Sequence, residues 1–153
     1  MRDAAFVPQL SIAAADDDGA LIGHVLFTRA WLARDNDSPE VPLLLLAPLA
    51  VVPEWQGRGV GTAMVREAIE RARGAGEVAM LVLGDPAYYG RFGFAEATPL
   101  GIASPYPVPE YAWQALEISP GALDGAAGTV RVAPPLDDPE LWREPDEDES
   151  PTG

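Results

Sequence analysis

Residues 41–52 form a nearly unbroken apolar run, followed by glycines at 57, 59 and 61 and then by a helical periodicity. Leu43, Leu44, Leu45 and Leu46 leave no polar face, so the run reads as a strand buried on both sides, as in α/β sheets. From Gly59 the spacing changes: Val65, Ala68, Ile69 and Ala72 make one apolar stripe, Glu67 and Arg71 pair a turn apart, and Gly74 supplies a stop. A buried strand that turns through glycines into a helix exposes unpaired backbone N–H groups at the positive end of the helix dipole. Glycine also removes the Cβ that would hold an anion away. Such a turn suits a phosphate-bearing ligand, and equally an αβ connection with no ligand. Neighbouring residues have to decide.

The other elements follow from pattern. Residues 9–15 and 20–31 read as a hairpin around the acidic turn Asp16-Asp17-Asp18-Gly19. Residues 78–83 repeat the buried-strand pattern, and Asp85-Pro86 then offers a helix cap with proline at the first helical position, Gly93 closing a short helix. Prolines 99, 105, 107 and 109 mark a loop, after which residues 111–118 and 128–132 read as strands. Residues 137–153 carry eight acids against Arg143 and read as a disordered tail.

Composition removes whole classes of chemistry. The 153 residues hold no cysteine, so there is no disulfide framework, thiolate nucleophile or cysteine-built metal site. The lone His24 excludes paired-histidine metal motifs, and no metal site is expected. All ten basic residues are arginine, which excludes a P-loop lysine and a Schiff base. A net charge of −14 opposes nucleic acid and anionic lipid, and the longest apolar stretch is too short to span a bilayer. No secretory signal pattern opens the chain, so a cytoplasmic protein is expected. A dinucleotide fingerprint fails on spacing: counted from Gly57 the sixth residue is Thr62, and from Gly59 it is Met64.

The segment Gln56-Gly57-Arg58-Gly59-Val60-Gly61, following Val51-Val52-Pro53, resembles motif A of the GNAT family of N-acetyltransferases: Gln or Arg, any two residues, Gly, any residue, then Gly or Ala. A second stretch, Tyr89-Gly90-Arg91-Phe92-Gly93-Phe94, is similar to the aromatic, basic, Gly-Phe segment that ends that family's short helix. The likeness runs from about residue 8 to residue 132 and looks closest to small bacterial members with Gly-Asp-Pro before a tyrosine pair, here Gly84 to Tyr89. It implies an α/β (α+β) fold, a mixed central sheet flanked by helices with strands splayed at the cofactor site. That domain would occupy residues 1–136, with the acidic tail at 137–153.

The same resemblance implies acetyl-CoA as cofactor and transfer to a primary amine by direct attack in a ternary complex. Backbone N–H groups of Gly57, Gly59, Val60, Gly61 and Thr62 would hold the pyrophosphate, with Gln56 in the motif and Arg58 adding charge. Leu49, Ala50 and Val51 would pair with the pantetheine arm, and an N–H near Ala50 or Val51 would polarise the thioester carbonyl. Tyr88 and Phe92 are assigned to cofactor binding. Tyr89 is placed as the acid that protonates the thiolate, with Tyr88 as its rival and simple aromatic packing as the plain alternative. His24 is a possible base or merely a hydrogen-bonded strand residue, and Glu54 a solvated turn residue. Trp31, Tyr106, Tyr111 and Trp113 would line an acceptor pocket or only pack.

Family chains usually place a strand and two helices before the hairpin, and here they are not visible in the sequence. The sheet flank they would cover is expected to be closed by a second copy, giving a homodimer. The acceptor, a small-molecule amine or a protein N-terminus, is left open. From another class comes the alternative of a catalytically inactive acyl-CoA-binding sensor or scaffold.

Overall fold

The computed structural model describes residues 11–35, 39–125 and 127–132. Eight strands form one mixed sheet in the order β5-β7-β4-β3-β2-β8-β6, with β1 on β2. The strands are β1 (Ile12–Ala15), β2 (Leu21–Arg34), β3 (Val41–Val51), β4 (Ala79–Leu83), β5 (Ala95–Glu96), β6 (Ile102–Ala103), β7 (Trp113–Glu117) and β8 (Gly128–Val132). The helices are α1 (Val60–Gly74) and the single turn α2 (Pro86–Tyr89). This is the mixed, helix-flanked sheet expected from the sequence. No described helix is long and apolar enough to cross a membrane. The acidic tail and the stretch before residue 11, where the family's first elements would be sought, lie outside the described residues.

The leucine run explains the middle of the molecule. Leu43 and Leu45 face one side of β3 and Leu44 and Leu46 the other, all at most 4% exposed. Each fully buried leucine contributes about 2 kcal/mol of burial. On the α1 face lies a layer containing Val25, Phe27, Leu44, Leu46, Met80 and Val82, covered by Met64, Val65, Ala68, Ile69 and Ala72 of the helix. The opposite face holds Ala30, Leu32, Leu43, Leu45, Leu81, Trp113 and Val130. Gly23 lets α1 sit close: a Cβ there would come within 2.9 Å of Met64 Cε and 3.1 Å of the Ala50 carbonyl oxygen.

The structure refines several boundaries. β2 continues to Arg34 instead of ending near Trp31, because its C-terminal half gains β8 as a partner, from Ala30↔Val132 to Arg34↔Gly128. The expected strand at 111–118 begins at Trp113, after a 3-10 turn at Glu110–Ala112. α1 runs through Gly74, and the left-handed residue that ends it is Gly76, at φ 80°. The proline-rich loop hides two short strands, β5 at one edge of the sheet and β6 at the other. Residues 97–101 join them, and at roughly 3.5 Å per residue that link reaches only if the two edges curl toward each other.

Arg29 on β2 fixes the far end of α1. Its guanidinium donates to both carboxylate oxygens of Glu77, at 2.7 and 2.9 Å, and the pair is mostly shielded from solvent. That hydrogen bonding raises the Arg29 pKa above its ordinary value against the opposing effect of burial. Glu67 and Arg71 pair on the solvent side at 3.0 Å, as their spacing predicts. Removing one partner of the shielded pair strands the other, so Glu77→Ala is expected to lower stability by about 2 kcal/mol in urea unfolding. The N-terminal end of the helix, where Gly57, Gly59 and Gly61 lie, should keep its properties.

Candidate active site

Among the described residues, strands β3 and β4 pair in parallel at Leu44↔Met80, Leu45↔Leu81 and Leu46↔Val82, and β4 ends at Leu83 while β3 runs on to Val51. Beyond that they part. Across the other edge of β3, the register with β2 shifts between Val25↔Leu49 and Phe27↔Leu46, an irregularity of the bulge type. Proline has no N–H, so position 48 cannot donate to a ladder on either side. β4 is drawn the other way: Gly84 N donates to Ala112 O at 2.9 Å, and the Gln114 side-chain amide donates to Gly84 O at 3.1 Å. The residues assigned from sequence to an extended ligand, Leu49, Ala50 and Val51, therefore lie on the stretch of β3 that has left β4.

The glycine turn closes this end. After a 3-10 turn at Pro53–Trp55, the Gln56 side chain donates to the Val51 carbonyl at 3.0 Å, so its amide braces the loop. Gly57 and Gly59 sit at φ 78° and 82°, where a Cβ would meet no atom within 4 Å; their glycine requirement is conformational. Gly59 is the N-cap without a side-chain cap, and the first turn of α1 holds no acid. The first-turn N–H groups at the cap and at Val60 and Gly61 precede the residues that can bond within the helix.

Three arginines surround that turn. Arg58 lies 4.9 Å over the Trp55 ring, Arg66 5.5 Å over Phe92, and Arg91 4.6 Å over Tyr88. Arg91 Nη1 also reaches Thr62 Oγ1, at 3.4 Å. Among the described residues the ion pairs use Arg29, Arg71, Arg73 and Arg131, so these three meet rings where the others meet carboxylates. Arg66 was not singled out from sequence, and Arg91 was seen only as part of a motif. Arg91 follows Tyr88 by three residues, a spacing visible in the sequence, whereas Arg66 meets Phe92 only through the fold and has no local signal.

Asp85 caps α2 by accepting from Ala87 N at 2.9 Å, and Pro86 follows, as its position before the tyrosine pair predicts. Tyr88 and Tyr89 meet edge to face with centroids 5.0 Å apart, and both are buried. Tyr89 lies on the backbone of Gly84: a Cβ there would be 2.5 Å from Tyr89 Cε2. Burial first, then Tyr88 and Asp85, raise the Tyr89 phenol above its usual range. Tyr88 Oη is buried with no partner among the described residues, a cost of roughly 1–3 kcal/mol unless a ligand or water supplies one. Gln114, 1% exposed, is the one buried polar side chain in the described core. Its visible signal was an amide inside the apolar strand 113–118.

Other expected residues divide. Tyr106 and Trp113 border a cavity of about 530 Å³ on the face of the sheet opposite α1. Trp31 lies elsewhere, under Arg131 at 4.4 Å, and Tyr111 is half exposed, so neither joins that cavity. His24 has Ala50 as its cross-strand partner and shares with it the face opposite α1. Glu54 is an exposed turn residue.

The acetyltransferase (GNAT) family model matches residues 2–94. The chain belongs to the GNAT acetyltransferase family. It is 40% identical over 141 residues to the uncharacterized N-acetyltransferase YjhQ of Escherichia coli (strain K12), covering 88% of this chain and 75% of that protein. Similarity to the uncharacterized N-acetyltransferase YhbS of the same strain is 34% over 121 residues, covering 79% and 70%. The crystal structure of YhbS from Escherichia coli in complex with CoA superposes with TM-score 0.76 at 30% identity, over 84% of this chain and 69% of that one. A GNAT acetyltransferase from Brucella melitensis in complex with acetyl-CoA gives TM-score 0.63 at 30% identity, over 83% and 68%.

The raised Tyr89 phenol has a consequence for stability. The folded state keeps a proton that the unfolded chain releases above pH of about 10, so stability should fall as pH rises past that value. Tyr89→Phe removes this contribution, and urea midpoints between neutral and strongly alkaline pH should then decline less steeply than in the wild type.

Proposed function

We propose that this member of the GNAT family is an acetyl-CoA-dependent N-acetyltransferase that moves the acetyl group to a primary amine by direct attack in a ternary complex. The observation that carries the reading is the parting of β3 and β4 between an uncompensated cationic turn and a buried tyrosine. Acetyl-CoA supplies the acetyl group as a thioester: an N–C bond replaces the C–S bond, CoA leaves as its thiol, and the amine gives up a proton. The solved relatives in complex with CoA and acetyl-CoA support the choice of cofactor.

The residues suit such a molecule. Backbone N–H groups at residues 59–62 and the guanidinium groups of Arg58 and Arg91 would hold its phosphates. Leu49, Ala50 and Val51 offer an extended backbone edge, and an N–H there is a fixed donor toward developing oxyanion charge. Tyr88, with its unpartnered hydroxyl, and Phe92 close the aromatic side. Tyr89 carries its proton at neutral pH as any phenol does, and it would donate that hydrogen toward the sulfur. Gly84 and Gln114 set where its ring can lie.

Thermal unfolding with and without acetyl-CoA tests the reading first. Ligand at 100 times its dissociation constant adds about 2.7 kcal/mol, a Tm rise of roughly 5 to 10 °C for a chain of this size. Arg91→Ala should reduce that rise. In an amine screen read by thiol release, Tyr89→Phe should lower kcat by about 100-fold. No Tm rise would remove the cofactor assignment; a rise with no transfer to any amine would favour an inactive acyl-CoA-binding sensor or scaffold. The reading includes a cytoplasmic setting and a homodimer, and sedimentation equilibrium is expected to return twice the chain mass.

A further inference from the structure

Behind the sheet from α1, the segment that joins β6 to β7 folds back over the second apolar layer and leaves the cavity bordered by Tyr106 and Trp113. Its size, about 530 Å³, is that of a single small-molecule site. The floor is Ile102 and Trp113, and the wall is Tyr106, Pro107 and Val108. Glu110 is the one charged side chain in the lining. The walls are preorganised: the Trp113 indole donates to Ile102 O at 3.0 Å, the Ser104 hydroxyl donates to Tyr106 O, and Ala112 N donates to Pro109 O at 3.1 Å. Prolines 105, 107 and 109 restrict the loop between them.

The cavity adjoins the candidate reaction centre through the sheet. Trp113 is the cross-strand partner of Leu83, and Gly84, the next residue, carries the Tyr89 ring against its backbone. Trp113 thus places one border of the cavity one strand away from the end of β4, on the face of the sheet opposite α1. The two mouths differ in charge: arginines 58, 66 and 91 on one side, a lone carboxylate on the other.

We propose that this cavity is the acceptor subsite and selects a small aliphatic amine bearing a second, non-reacting ammonium group, which pairs with Glu110. The inference rests on the acetyl-transfer reading and names its substrate class. A carboxylate stabilises the protonated form of an amine beside it, so Glu110 is the wrong partner for the nitrogen that must attack as a neutral base. It is the right partner for a cation at the far end of the same molecule. The aromatic and proline walls then cover an alkyl spacer, and its length is set by the span from Glu110 to the strand gap.

The test compares α,ω-diaminoalkanes with monoaminoalkanes of equal length, on wild-type protein and on Glu110→Gln, with thiol release as the rate. Calorimetry of the diamine against the CoA complex gives binding apart from turnover. Glu110 is exposed at the rim, so Glu110→Gln should fold with unchanged Tm. Wild type should favour the best diamine over its matched monoamine by roughly tenfold or more in kcat/KM, the scale of one charge-assisted hydrogen bond. In Glu110→Gln the ratio of diamine to monoamine kcat/KM should fall to about one, and in Glu110→Arg it should fall below one. Equal rates for both series in the wild type, or equal losses in Glu110→Gln, would overturn the subsite and leave acetyl transfer standing. Glu110-dependent diamine binding without thiol release would uphold the site and sink acetyl transfer. Neither binding nor release with any amine would overturn both.

Discussion

The parting of β3 from β4 is the constraint on which the rest of the site depends. Three residue pairs hold the two strands together in the buried centre, and then each is pulled by a different neighbour. β3 shifts register but stays paired with β2 to Val51, whereas Gly84, just past β4, is tied toward β7 through Ala112 and Gln114. Unpaired strand edges inside a sheet are costly, because each backbone group left without a partner forfeits a hydrogen bond. A structure keeps such an edge only where something else completes it, and an extended ligand is one such thing. The leucine run matters here because it buries both faces of β3 where the two strands are paired.

Around the gap, small residues set distances that large ones exploit. Gly23 brings the helix close to the sheet, and Gly84 admits the Tyr89 ring. Those two glycines are needed for space, whereas Gly57 and Gly59 are needed for backbone angle. The aromatic cluster of Tyr88, Tyr89, Phe92 and Phe94 then fills the volume beside α1, its rings mostly edge to face. Polar atoms caught in this cluster gain strong preferences. Tyr89 holds its proton more firmly, and Tyr88 Oη has no partner among the described residues.

Much of this architecture is legible in the amino-acid sequence. The double-faced leucine strand, the α1 stripe, the Asp85-Pro86 cap and the two glycine motifs are local patterns whose physics acts over a few residues, and each appears where its pattern places it. Pairing across the sheet is not legible in the same way. That β8 joins the second half of β2, that β5 and β6 fall at opposite edges, and that Gln114 reaches Gly84 depend on contacts dozens of residues apart. Aromatic residues show the limit most plainly. Trp31 and Trp113 look alike as pocket candidates, yet only Trp113 lies where the sheet's curl encloses a cavity.

Net charge misleads unless it is resolved by place. A chain at −14 would be expected to repel a polyphosphate, yet the turn that faces one holds three arginines with no carboxylate partner among the described residues. Half of the negative charge belongs to residues 137–153, outside the described fold, and ionic screening confines exposed charges to roughly 10 Å of influence. The field at the site is therefore set by near neighbours. Stacking on Trp55, Phe92 and Tyr88 keeps those arginines ordered without neutralising them, which pairing with glutamate would do. With Glu110 alone at the opposite cavity, the sheet separates an anion-seeking mouth from a cation-seeking one. On the proposed reading, two reactants of opposite charge would be drawn toward the same part of the sheet from opposite faces, and neither would compete for the other's entrance.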